Sequence, residues 1–258
     1  MGKSKTGMCH ICGNVGKLTY EHIPPKAVGN TKKVKIYNVL DMARNGRFEM
    51  KDVEGFYGEI KQQGAGLDTL CDACNSNTGS NYAEHFSSVL LGIHQKFQDF
   101  DDMQMGAISF EYNNLNVLAF FKQIITIFCS ICPAGTMLDC KDFLLDRKNM
   151  QFDSMKYTVT MVAVPDKASN GWLGCLENYI VSERGNGHQC LAGYLCYPLG
   201  FLLYTNDNSG IAKHGADITS MSAFCYGETP HFGVKIPCVD TKHIIPEFFR
   251  DQTTISSN

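Results

Sequence analysis

Apolar and polar positions along this chain follow two regimes. In the first, Lys17-Leu18-Thr19-Tyr20 and Leu67 to Leu70 read as short strands, and 35–39 as a strand within a longer insertion spanning 26–62. Phe86, Val89, Leu90, Ile93 and Phe97 then recur at helical spacing and predict a helix over 83–97 that starts near Asn75. Gln98, Asp99, Asp101, Asp102 and Gln104 form a polar linker. Beyond it the pattern changes. A helix is predicted over 115–132, apolar on nearly all faces apart from Lys122 and Gln123, capped by Asn113-Asn114 and ended by Pro133 and Gly135. Residues 137–149 read as a second helix. Alternation over 157–164, with further candidates at 177–183, 190–205, 221–226 and 231–236 between Gly, Asn and Asp turns, predicts an antiparallel sheet. The fold class expected is α+β, as two domains, 1–98 and 105–258.

Composition narrows the class. The 258 residues are 44% hydrophobic and 19% charged, ordinary values for a globular chain with a sizeable core. No apolar run reaches transmembrane length, and the Lys-rich start lacks the apolar stretch of a secretory signal, so a cytoplasmic location without membrane contact is expected. Charge is uneven. Residues 1–35 hold seven Lys against one acid, Glu21, a formal +6, and since the whole chain carries −3 the remainder carries −9. Lys26, Lys32, Lys33 and Lys35 are therefore candidates for contact with a phosphate backbone, while a solvated terminus explains Lys3 and Lys5 equally well.

The chemistry concentrates between residues 8 and 82. Cys9-x-x-Cys12 and Cys71-x-x-Cys74 form two knuckles, the spacing with which four thiolates clamp one tetrahedral zinc. Between them Glu21-His22 precedes Ile23-Pro24-Pro25, whose prolines favour extended backbone, and Asn75 directly follows the last knuckle. A carboxylate, an imidazole and a carboxamide beside a zinc scaffold suggest a second, catalytic metal site. Cys129, Cys132, Cys140, Cys175, Cys190, Cys196, Cys225 and Cys238 read as reduced core cysteines, including the Cys129-x-x-Cys132 pair inside an apolar helix. His10 reads as exposed, His85 and His94 as surface positions, Asn75 also as a helix N-cap, and Asp217-Ile218-Thr219 as a turn or cap.

The order C-x-x-C, acidic residue plus His, C-x-x-C-Asn resembles the HNH endonucleases of the His-Me finger (ββα-metal) superfamily, in their zinc-stapled treble-clef form and of the bacterial Glu-His-Ile-Pro-Pro type. The likeness covers about a third of the chain. Tyr197-Pro198-Leu199-Gly200-Phe201, Asp217-Ile218-Thr219 and Ile245-Pro246-Glu247-Phe248-Phe249-Arg250 more weakly resemble the tail of such proteins, which often belong to mobile elements or antiphage defence loci. The resemblance implies an N-terminal treble-clef ββα-metal module, a structural Zn²⁺ on Cys9, Cys12, Cys71 and Cys74, and Mg²⁺- or Mn²⁺-dependent hydrolysis of DNA phosphodiester bonds. His22 matches the general base, with Glu21 and Asn75 at the positions of the Mg²⁺ ligands, and the second domain would supply target choice, dimerisation or control. One position departs from the pattern. The middle Asn, which orients the catalytic loop, falls on Gly66, leaving Gln62, Gln63, Asp68 or the insertion to take its part. The residues leave open a non-catalytic zinc module that binds nucleic acid or protein, RNA in place of DNA, and a homo-oligomer or a regulatory protein partner.

Overall fold

A computed structural model of the chain describes residues 5–37, 58–98, 106–164, 170–182, 185–206 and 213–239. It is mixed α/β with antiparallel sheets, as expected. The N-terminal part is a three-stranded sheet in the order β1-β2-β5, formed by β1 (Thr6–Met8), β2 (Val15–His22) and β5 (Gly66–Cys71), with a separate ribbon of β3 (Val34–Tyr37) and β4 (Gly58–Lys61). Residues 38–57 of the insertion and the linker at 99–105 lie outside the described residues. β5 runs directly into α1 (Asp72–Gln98), so the helix begins at Asp72, three residues before the predicted start. An acid at that end suits the positive pole of the helix dipole. Asn75 therefore sits in the first turn, and its side chain reaches back to β2 instead of capping the helix.

After β6 (Ala107–Tyr112) comes α2 (Val117–Ile131), every residue of which is buried. Its cap is Asn116, whose Oδ1 accepts the Ala119 N–H at 3.1 Å, and not Asn113-Asn114. Asn114 instead takes a left-handed φ of 66° in the turn before it. Lys122, 0% exposed, donates from Nζ to the carbonyls of Asp146 and Arg147 at 2.8 and 3.1 Å and lies 4.5 Å from the centre of the Phe143 ring. Burial pulls its pKa down to about 8, against the opposing pull of Asp146. Those carbonyls follow α3 (Lys141–Leu145), a much shorter helix than the 137–149 predicted, preceded by a 3-10 turn over Leu138–Cys140. Asp146 ends it by turning its carboxylate to the Lys148 N–H at 2.9 Å, a local bond that competes with helix continuation.

The large sheet has the order β11-β7-β10-β9-β8, all antiparallel, from β7 (Tyr157–Ala163), β8 (Asn170–Ser182), β9 (Gly185–Cys196), β10 (Leu199–Thr205) and β11 (Ala216–Asp217). The candidate strand 190–205 is thus two strands folded back at Tyr197-Pro198. The expected strand at 221–226 is instead a 3-10 helix, Thr219–Ala223, entered through an Asp217 Oδ1 bond to the Thr219 N–H at 2.8 Å. The strand expected at 231–236 is β12 (Phe232–Pro237), which pairs with β6 outside the main sheet. α2 covers one face of the large sheet through an aromatic cluster in which Phe120, Phe128 and Phe86 meet Tyr194 and Phe201 at 5.0–6.4 Å between ring centres. Full burial of each such ring contributes on the order of 2–3 kcal/mol. The apolar core runs without a break from Cys9 through Phe86 and α2 to Ile236, across the boundary expected near 98–105. Cys129, Cys132, Cys140 and Cys196 lie in it, but Cys225 is exposed and Cys238 only half-buried. No helix among the described residues is long and apolar enough to cross a membrane.

Candidate metal centre and histidine loop

The first knuckle is the reversal between β1 and β2, which pair in the register Met8↔Val15. Gly13 takes a φ of 77°, a left-handed turn position that favours glycine, while the Cys9 N–H and carbonyl bond Asn14 and Gly13 at 2.9 Å each. The second knuckle is the junction of β5 and α1. A bulge opposite Thr19-Tyr20 leaves Thr69 as the extra residue of β5, and its carbonyl takes the His10 N–H at 3.0 Å, bringing the two knuckles together. Cys9, Cys12, Cys71 and Cys74 converge with all four sulfurs within 4.8 Å of one another. The Cys12 and Cys71 sulfurs are 3.8 Å apart, which is the edge of a tetrahedron with zinc–sulfur bonds of about 2.3 Å. Among these thiols one negative charge has a clear home. A bond from the Cys74 thiol, opposed by burial and aided by backbone N–H groups including that of Cys71 at 3.3 Å, brings Cys9 down to about 4. Giving that bond pushes Cys74 well up. Four thiolates at this spacing require a compensating cation, and soft sulfur donors select zinc.

Glu21 and His22 end β2 on opposite faces, because strand side chains alternate. Glu21 turns inward. It is 6% exposed, its carboxyl accepts a hydrogen bond from Ser130 Oγ on α2, and among the described residues no Lys or Arg pairs with it. Burial pushes its pKa up to about 8, opposed by the Ser130 hydroxyl and reinforced by the charge at Cys9. His22 turns outward and is half-buried. Its Nε2–H donates to the Gln63 carbonyl at 2.8 Å, which leaves Nδ1 as the lone-pair nitrogen of the neutral ring. Burial, with a smaller contribution from the Lys26 charge, lowers its pKa despite the Gln63 carbonyl, so the ring is neutral near pH 7 and able to accept a proton. The Tyr20 ring stands edge-on to the imidazole, 5.0 Å between centres.

Asn75 comes to the inward face of β2. Its Nδ2 donates to Thr19 Oγ1 at 3.0 Å and to the Tyr20 carbonyl at 3.4 Å, so its Oδ1 remains as a ligand atom beside the strand that carries Glu21. A carboxylate and a carboxamide oxygen are ligands of the kind Mg²⁺ takes, but the Glu21 carboxyl is engaged by Ser130 while Asn75 is held by Thr19 and Tyr20. The imidazole and the two oxygen donors thus lie on opposite faces of one strand end.

Gly66 is paired with His22 across β2 and β5. A Cβ there would lie 2.8 Å from the Tyr20 ring and deep inside contact with the Glu21 carbonyl oxygen, so no side chain fits. Gln63 acts through its main chain only as far as His22 is concerned. Three further residues take roles that no motif assigns them, among them His10, which is half-buried and not exposed as expected. Asn30 bonds Pro24 and Ala65, Ser130 bonds Glu21, and His10 donates from Nδ1 to the Cys129 carbonyl at 2.9 Å. Gly29-Asn30 is legible in the sequence as a turn, but its target is not; Ser130 and Cys129 lie about a hundred residues from their partners. Lys26, Lys32, Lys33 and Lys35 are all exposed. No known protein family, curated protein or solved structure matches the chain. What fold and site define is a mixed α/β chain with a four-cysteine cluster able to hold a metal such as zinc.

Proposed function

We propose that the chain is a metal-dependent endonuclease of the HNH type that hydrolyses phosphodiester bonds in DNA, with His22 as general base. The observation that carries the reading is the His22 imidazole, fixed by the Gln63 carbonyl and kept neutral at the half-exposed end of β2, the strand that also pairs with the second knuckle of the four-cysteine cluster through Leu18 and Cys71. In this reading His22 Nδ1 takes a proton from water as its oxygen forms a bond to phosphorus and the bond to the 3′-oxygen breaks. Glu21 and the Asn75 Oδ1 would hold a Mg²⁺ or Mn²⁺ ion for charge neutralisation at the phosphate and the departing oxygen, which requires the Glu21 carboxyl to leave Ser130 and swing round the strand end towards the face that carries His22. The thiolate zinc is structural, and exposed Lys26, Lys32, Lys33 and Lys35 attract the backbone. The part of the chain after residue 105 serves target choice or control.

A second reading has a specific observation of its own. Glu21 is turned onto Ser130 and buried, which favours a zinc module that binds nucleic acid or protein without cleaving it. Plasmid cleavage in Mg²⁺ or Mn²⁺ separates the two. The native chain should nick or linearise DNA while His22→Ala, carrying the same single zinc, should not. Absence of cleavage of DNA by the zinc-loaded native chain rejects the proposal as stated, and cleavage of RNA alone would replace its substrate.

A further inference from the structure

The His22 to Gln63 bond is only as good as the placement of the Gln63 carbonyl, and that carbonyl belongs to the turn between β4 and β5, far from His22 in sequence. Among the groups that tie the turn to the end of β2, one carboxamide makes three of the bonds. Asn30 Nδ2 donates to the Pro24 carbonyl at 2.6 Å, two residues after His22, and to the Ala65 carbonyl at 2.8 Å, two residues after Gln63. Asn30 Oδ1 accepts the Ala65 N–H at 2.7 Å. One planar group thus engages both polar atoms of Ala65 and the chain leaving β2. The surroundings are built around it. Gly64 has a φ of 98° and packs so closely on residue 30 that a Cβ would stand 2.7 Å from Asn30 Oδ1. Tyr20 OH donates to the Gly64 carbonyl at 2.9 Å, and the Ile23 N–H to the Ala65 carbonyl at 3.0 Å.

We infer that Asn30 is a positioning residue for His22, clamping residues 63–65 so that the Gln63 carbonyl fixes the imidazole with Nε2 protonated and Nδ1 presented to water. The consequence for catalysis rests on the nuclease reading; the consequence for the ring does not. Only a group with two donors and an acceptor in one plane satisfies the three bonds, so neither Asp nor Ala replaces it. The Asn30→Asp change would keep the acceptor for the Ala65 N–H and set a carboxylate against two carbonyl oxygens.

The test compares the native full-length, zinc-loaded chain with Asn30→Ala and Asn30→Asp, after zinc content and thermal midpoint have been checked. Nitrogen-15 shifts of the His22 ring report its tautomer. The native ring should be predominantly Nε2–H, and both variants should show averaging of the two nitrogens. Cleavage kinetics should show kcat lowered by about 10- to 100-fold with KM little changed, the size expected when a reacting group is displaced by an ångström or less. If Asn30→Ala loses its fold, the isosteric Asn30→Asp carries the comparison. Unchanged tautomer and kcat in a folded, zinc-loaded variant overturn the inference. If the native chain cleaves nothing, the nuclease reading fails, while the ring shifts still decide whether Asn30 sets the imidazole.

Discussion

Restoring the residue that the HNH pattern calls for at position 66 should damage this protein. Gly66 faces His22 in the β2–β5 ladder, and a Cβ at residue 66 would sit 2.8 and 2.9 Å from two atoms of the Tyr20 ring, where carbon atoms at rest stand about 3.5 Å apart or more. The closer obstacle is the Glu21 main-chain oxygen, which no rotamer change can move. The strands must therefore separate by about 0.7 Å or more, enough to stretch the neighbouring Ile23 N–H bond to the Ala65 carbonyl beyond useful length from its 3.0 Å. Overpacking of this kind costs about 1–3 kcal/mol, and the weakened ladder bond about 1 kcal/mol more. Gly66→Ala should lower the urea midpoint by the equivalent of about 2–4 kcal/mol at unchanged slope. Gly66→Asn should do at least as much and reduce cleavage along with it. A Gly66→Asn variant as stable as the native chain, or more active, would refute the claim that main-chain approach, and not a missing side chain, sets residue 66.

Two further outcomes follow from the same centre. Glu21 has its folded pKa raised to about 8 from an ordinary value near 4.5, so the folded state binds the extra proton. Its stabilising contribution is complete below about pH 4.5 and is lost as pH rises through 8, a change on the order of 5 kcal/mol. In urea titrations without divalent ions, the native chain minus Glu21→Gln should show this fall, and a flat difference between pH 5 and 8 would contradict it. For the cysteine cluster, metal analysis should find one zinc per chain, and Co²⁺ in its place should give the intense visible bands of a tetrahedral thiolate site. Structural zinc contributes on the order of 10 kcal/mol, comparable to a domain's whole stability, so Cys74→Ser should lose both the metal and the ordered β1-β2-β5 sheet. An octahedral cobalt spectrum would rule out the four-sulfur assignment.

What could be read from the sequence was whatever depends on local spacing. Two knuckles of two-residue gap announce a tetrahedral cluster because the geometry is contained within each knuckle, and Phe86, Val89, Leu90 and Ile93 announce α1 because one helix face repeats locally. The buried helix at 117–131 was legible from its unbroken apolar run, but its cap was not, since Asn113, Asn114 and Asn116 are equivalent on propensity and only the turn geometry selects Asn116. The helix expected over 137–149 stops at Leu145 because the Asp146 carboxylate takes a main-chain N–H and Lys122, a turn-and-a-half into a different helix, claims the Asp146 and Arg147 carbonyls. Nothing local predicts that. In the candidate site, Glu21, His22 and Asn75 were found by type and order, whereas the strand alternation that sends Glu21 inward and His22 outward gives them different neighbours.

The boundary near residue 105 is a change of pattern in the chain without being a break in the packing. α2 ends at Ile131, and Pro133, two residues on, has no N–H, so the Cys129 carbonyl lacks the partner that residue 133 would otherwise supply in a continuing helix. His10, inside the first knuckle, takes that place with its Nδ1–H, and the next residue, Ser130, holds Glu21. Two successive residues at one helix end are thus engaged by the two segments that carry the cysteine cluster and the histidine strand. Because both links are single hydrogen bonds, each contributes only about 1 kcal/mol, while the apolar contacts beneath them supply the greater part of the attachment. Their role is in register: they fix which turn of α2 meets which residue of the metal module, and a shift of α2 by one residue would leave the Glu21 carboxyl and the Cys129 carbonyl both buried without donors. The second half of the chain is therefore coupled to the first through the end of α2, whatever that half recognises.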